Sequence, residues 1–150
     1  MSDANLLSRP LIPVATAEDA VETSRTAFPR IAAAGGRPLV INVIEKAGGA
    51  PDKASVEQRE LAAEAAFTAA RDHADDIGLD IDTEIRYGTD VAETIIQAAG
   101  DIDASAIVFR PRGGSWWLDL LTGDVRDALV TESDRPVVVF PADESEEETQ

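Results

Sequence analysis

Phe109-Arg-Pro-Arg-Gly-Gly-Ser-Trp-Trp-Leu-Asp-Leu-Leu-Thr-Gly-Asp-Val125 decides how the chain is read. It follows the apolar run Ala106 to Phe109 and leads into an amphipathic helix pattern. A Gly-rich turn between a strand and a helix is where an α/β unit usually meets a phosphate, because the helix start offers unpaired N–H groups. Gly113 and Gly123 stand where an anion-cradling loop uses them, yet Asp124 brings a carboxylate to the same place.

Outward from that stretch, apolar runs alternate with helix-length segments. Leu11, Ile12, Val14 and Ala15 read as a first strand, with Pro13 tolerable only where its missing N–H falls at a strand end. Ala20, Val21, Ser24, Ala27, Phe28 and Ile31 recur at spacings of three and four, one helix face. Pro29 predicts a kink or an early end, and Gly35-Gly36 a stop. The continuous β-branched run Pro38 to Ile44 suits a strand buried on both faces of a parallel sheet. Glu45 to Ala54 reads as a loop, and Ser55 with Gln58 as a capping box. Beyond it, Leu61, Ala62, Ala65, Ala66, Ala69 and Ala70 are the expected inner face of a helix to about Ile77. Asp80 to Tyr87 alternates like an edge strand. Asp90 with Glu93 opens a helix with Val91, Ile95, Ile96 and Ala99 inward, Ala104 to Phe109 is a fourth strand, and Val137 to Phe140 a fifth. Strands separated by helices mean right-handed βαβ crossovers and an α/β fold with an open parallel sheet.

Composition narrows function. The chain has 150 residues, enough for one domain. It has no Cys, which removes disulfides, thiolate metal sites and thiol nucleophiles. The single His73 reads as a half-exposed helix residue rather than part of a triad or metal site. Against 29 Asp plus Glu stand 13 Lys plus Arg, a formal charge of −16. Such a surface repels nucleic acid and anionic lipid, so neither is an expected partner. Only Lys46 and Lys53 are lysines. Acidic excess with scarce Lys suits molar salt, where the Debye length falls to roughly 3 Å and self-repulsion is screened. With no apolar run near 18 residues and no apolar core in the first ten, a cytoplasmic location is expected.

The order of these elements, with Ile85 to Ile96, Asp103 to Phe109, Gly113 spaced nine residues from Gly123, and Arg135-Pro-Val-Val-Val139, resembles the universal stress protein family. The resemblance implies a five-stranded parallel sheet in the order 3-2-1-4-5 with helices on both faces, Rossmann-like, over residues 10–141. Residues 1–9 are then a leader and 142–150 an acidic tail. It also implies homodimers through the last strand, here Val137, Val139 and Phe140.

Nucleotide-binding members of the family carry Gly-x-x-Gly, nine residues, then Gly-Ser or Gly-Thr, and an Asp after the first strand. Gly113 and Gly123 match, whereas Arg110 stands at the first glycine, Asp124 at the hydroxyl position and Ala15 at the aspartate. An Asp124 carboxylate capping its own helix fills the anion seat. A triphosphate there meets like charge worth roughly 1 to 4 kcal/mol per pair. Arg110 and Arg112 either offset that or pair with nearby acids. Of Trp116 and Trp117, one is expected to anchor the loop and the other to face the cleft or a partner. The expectation is a non-catalytic domain of stress response or regulation without high-affinity ATP binding and with no required cofactor, paired with itself or another protein. The alternative is a Mg-dependent ATP switch using Val43, Gly113, Gly123, Asp124 and Val125.

Overall fold

The computed structural model describes residues 5–46, 53–109 and 123–140. Nine elements run β1 (Pro10–Pro13), α1 (Ala17–Ala33), β2 (Leu39–Glu45), α2 (Lys53–Asp76), β3 (Asp82–Gly88), α3 (Val91–Asp101), β4 (Ala106–Phe109), α4 (Gly123–Glu132) and β5 (Val137–Val139) among those residues. The strands form one parallel sheet in the order β3-β2-β1-β4-β5.

The two-residue period of each strand divides the core. Ile12, Val40, Ala106 and Val108 face a cluster with Ala27, Phe28 and Ile31 of α1 and Ala66, Phe67 and Ala70 of α2. Leu11, Ile41, Ile107 and Phe109 face the other cluster, with Ile95 and Ala98 of α3 and Leu129 of α4. Both faces of β1, β2 and β4 are therefore apolar, as a sheet covered by helices on each side requires.

Pro13 ends β1, where it pairs with Ile41 of β2. On the other side, pairing with β4 stops at Leu11 and Ile107, before the residue that has no N–H to extend it. The two strands part there, and that parting is the crevice of an open α/β sheet.

Several local expectations are corrected. Helix α1 continues four residues beyond Pro29 to Ala33 instead of ending early. Pro29 and Arg25, whose carbonyl loses its helical donor, both lie on the exposed face, where water can serve that carbonyl. Helix α2 begins at Lys53, which places Ser55 inside it and not at its cap; Lys and Ala are strong helix formers and carry the helix back a turn. Its inner face is Ala63, Ala66, Phe67, Ala70 and Ala74, while Leu61 is 72% exposed. Bulk misled the sequence reading: the small Ala side chains are what let α2 lie close against α1, with Phe67 filling between them.

Gly35 takes φ +74° after the end of α1, a conformation open to glycine. A Cβ on Gly36 would lie 1.8 Å from the Leu7 carbonyl oxygen. Residues 5–9 cross there, with Asn5 Nδ2 donating to the Ala34 carbonyl and the Arg37 N–H donating to that of Ser8. Ser105 Oγ, next to β4, accepts from the Arg9 N–H and donates to the Leu6 carbonyl.

Candidate functional site at the parting of the first and fourth strands

The crevice opens at the carboxyl ends of β1 and β4, and the turn from β1 into α1 forms one wall. That turn is fixed by five side-chain hydrogen bonds. Thr16, the N-cap of α1, accepts the Asp19 N–H through Oγ1 at 3.1 Å. Asp19 reaches back so that its Oδ2 accepts the Ala15 N–H at 2.8 Å, while Oδ1 accepts the Thr23 hydroxyl at 3.2 Å. From β2, Asn42 Nδ2 donates to the Val14 carbonyl at 2.9 Å and to the Ala15 carbonyl at 3.2 Å.

Asp19 is fully buried and Asn42 is 7% exposed. A buried carboxylate is tolerated when it is hydrogen-bonded, and here it also sits in the first turn of a helix, where negative charge is favoured. The result concerns Ala15. Its N–H is held by Asp19, its carbonyl is shared by Asn42, and its side chain is a methyl group.

Sequence reading missed both residues. The spacing Thr16-x-x-Asp19 is close to a capping box, and Asn42 is the only polar residue in the apolar run Leu39 to Ile44, so each left a signal.

Of the residues expected at the site, Ala15 and Val43 flank the crevice. Val43 is half-buried in β2, paired in register with Arg86. Gly123 begins α4, so Asp124 lies in the first turn, one residue inside the helix, and not at its N-cap. Of Asp124 and Val125 only the backbone is described, and Arg110, Arg112, Gly113, Trp116 and Trp117 lie outside the described residues. No group of three or more His, Cys, Asp or Glu suited to a metal ion occurs among the described residues.

The opposite end of the sheet carries a charge cluster of another kind. Asp82 at the start of β3 accepts from Arg37 Nε and Nη2 at 3.0 and 2.8 Å and from Arg9 Nη1 at 2.8 Å. Hydrogen bonding from Arg37, set against partial burial and helped by Arg9, lowers the Asp82 pKa to about 2. At the sheet's outer edge, Tyr87 donates its hydroxyl to Glu60, and that bond raises the tyrosine pKa.

A doubly wound parallel sheet in this order, with its topological switch point between β1 and β4, defines the class of Rossmann-like α/β proteins. Within it, the sequence matches the universal stress protein family model over residues 9–141, and the chain belongs to that family. The fold is similar to that of a universal stress protein family member from Burkholderia pseudomallei, at 22% identity and a TM-score of 0.72, covering 91% of this chain and 98% of that one. It is also similar to the Archaeoglobus fulgidus universal stress protein in complex with dAMP, at 18% identity and TM-score 0.64, covering 88% and 96%. A universal stress protein family protein of Arabidopsis thaliana with AMP bound matches at 16% identity and TM-score 0.64, covering 93% and 94%. A search of curated proteins finds no match to the sequence.

Proposed function

We propose that this universal-stress-type domain is non-catalytic and works in stress response or regulation without holding ATP at high affinity. The observation that carries this reading is Ala15. Family members that bind nucleotide use a carboxylate at that position, and here there is a methyl group whose own backbone N–H and C=O are engaged by Asp19 and Asn42. A nucleoside entering the crevice finds no carboxylate at Ala15 to accept its hydroxyls.

The second reading, a Mg-dependent nucleotide switch, is favoured by the complexes of two structural neighbours with dAMP and AMP. In it, the backbone of Val43 meets the base, Gly113, Gly123, Asp124 and Val125 surround the phosphates, and Arg110 and Arg112 offset their charge. Titration calorimetry with Mg-ATP and with AMP at 2 M KCl separates the readings. Heat-silent titrations, with dissociation constants weaker than millimolar, are expected. A micromolar constant for either nucleotide overturns the proposal.

The proposal includes a cytoplasmic homodimer formed through β5, with residues 1–9 as leader and 142–150 as an acidic tail. No helix among the described residues is long and apolar enough to cross a membrane. β5 is a sheet edge, and Val139 on it is 49% exposed. Val137 packs partly against the second core cluster and Phe140 against the first, beneath the Arg30 guanidinium at 5.1 Å. Among the described residues of this edge Val139 is therefore the side chain most open to a second copy, and an apolar sheet edge favours pairing.

A further inference from the structure

The other edge of the sheet carries a groove far from the crevice. Glu57, Glu60, Leu61 and Glu64 project from α2 beside Ile85 of β3 and line an open hollow of about 490 Å³. Spacings of three and four place these helix residues on one stripe, beside the Ala face that packs the core. Leu61 is 72% exposed and Tyr87, whose hydroxyl bonds Glu60, is 42% exposed. The hollow thus has an aliphatic floor and a row of three carboxylates along one wall. Next to the hollow, at the Tyr87 ring that bonds Glu60, this chain already places a cation: the Lys46 ammonium sits 4.8 Å from the centre of the ring.

We propose that the α2–β3 groove docks a short segment of a partner protein in which aliphatic side chains alternate with Lys or Arg. The aliphatic group covers Leu61 and Ile85, and the cations meet Glu57, Glu60 and Glu64. Charge complementarity selects this occupant. At this groove a second copy would set Glu57, Glu60 and Glu64 against their own counterparts, and an anionic lipid surface or a nucleic acid is likewise repelled. An exposed leucine among carboxylates suits a ligand with both an apolar and a cationic part.

The test is fluorescence anisotropy of a labelled decapeptide of alternating Leu and Lys, titrated with the full chain at 0.15 M and at 1 M KCl. Three variants accompany the wild type, each checked for an unchanged far-UV spectrum. Leu61→Arg is expected to weaken binding roughly tenfold or more, one aliphatic contact plus a new repulsion. The double variant Glu57→Gln with Glu64→Gln is expected to weaken it several-fold at 0.15 M and little at 1 M, where screening has removed the charge contribution. The control, Asp127→Asn with Glu132→Gln on the exposed face of α4, removes equal charge elsewhere and is expected to stay within about twofold of wild type. Equal weakening by the control double variant shows diffuse attraction to an acidic surface and overturns the proposal. So do an unaffected Leu61→Arg variant, an equally strong response to a Leu-Glu peptide, and absence of binding at 100 µM chain.

Discussion

The Asp19 carboxylate turns back four residues to accept the N–H of Ala15 at 2.8 Å, occupying from within the chain the wall where a crevice ligand would be read. Asp19 is fully buried and Ala15 partly so, and the bond braces the turn. Asp19→Ala leaves the Ala15 N–H and the Thr23 hydroxyl without their acceptor, at a cost of about 1–3 kcal/mol. For a domain of this size each kcal/mol lowers the melting temperature by roughly 2–4 °C. Thermal unfolding at 2 M KCl checks it, and a change under 1 °C contradicts the role.

Asn42→Ala removes the donor to the Val14 and Ala15 carbonyls and is expected to cost a similar amount. Because Asp19 and Asn42 converge on one residue, the double variant should lose less than the sum of the two singles. Strict additivity in a double-mutant cycle would show that the two brace separate parts of the turn.

The Arg9–Asp82–Arg37 cluster gives a pH dependence of known sign. The Asp82 pKa is about 2 in the folded chain, below its usual value near 3.9 in an unfolded one. Its contribution is therefore complete above roughly pH 4 and disappears as pH falls toward 2. The Asp82 side chain is 36% exposed, so solvent screening limits that contribution to under about 1 kcal/mol. The melting temperature of Asp82→Asn should lie below wild type at pH 6, with the gap closing between pH 4 and pH 2. A gap constant over that range refutes the assignment.

Tyr87 is the chain's single tyrosine, which makes its ionisation directly visible. Hydrogen bonding to Glu60 raises its pKa above the ordinary 10. Ultraviolet titration of the tyrosinate band is expected to show a midpoint above that value, moving down in Glu60→Gln, which removes the anionic acceptor. An unmoved midpoint would mean that the two side chains do not meet in solution.

At the β5 edge, Val139→Lys places a charge on the exposed strand and is expected to convert a dimer sedimenting at 2 M KCl into a monomer. A wild-type chain that sediments only as monomer rejects the pairing outright.

Strand identity and most helices were legible because apolar runs such as Leu39 to Ile44 stand between helix-length segments and the Asp90 cap carries its own chemistry: its side chain accepts the Glu93 N–H at 3.0 Å. The sheet order was legible only through the family resemblance. The inner face of α2 was not, since a helix of many alanines has little contrast between faces, and Leu61 drew the eye to the wrong one. Nor was the locking of Ala15. Its partners lie four residues ahead in sequence and across the sheet on β2, and only the folded turn brings the three together.

β1 sits at the middle of the sheet, between β2 and β4, yet it precedes every other described strand in sequence. One of its flanks closes with residues 39–41, while the other waits for Ala106 and Ile107. During synthesis from the amino end, Pro10 and Leu11 therefore remain open on one side until Ala106 and Ile107 have been made. The last closure spans almost a hundred residues, a separation that slows folding. A nascent chain that stops before β4 thus leaves one flank of the central strand without its partner, an open edge of the kind other chains can pair with.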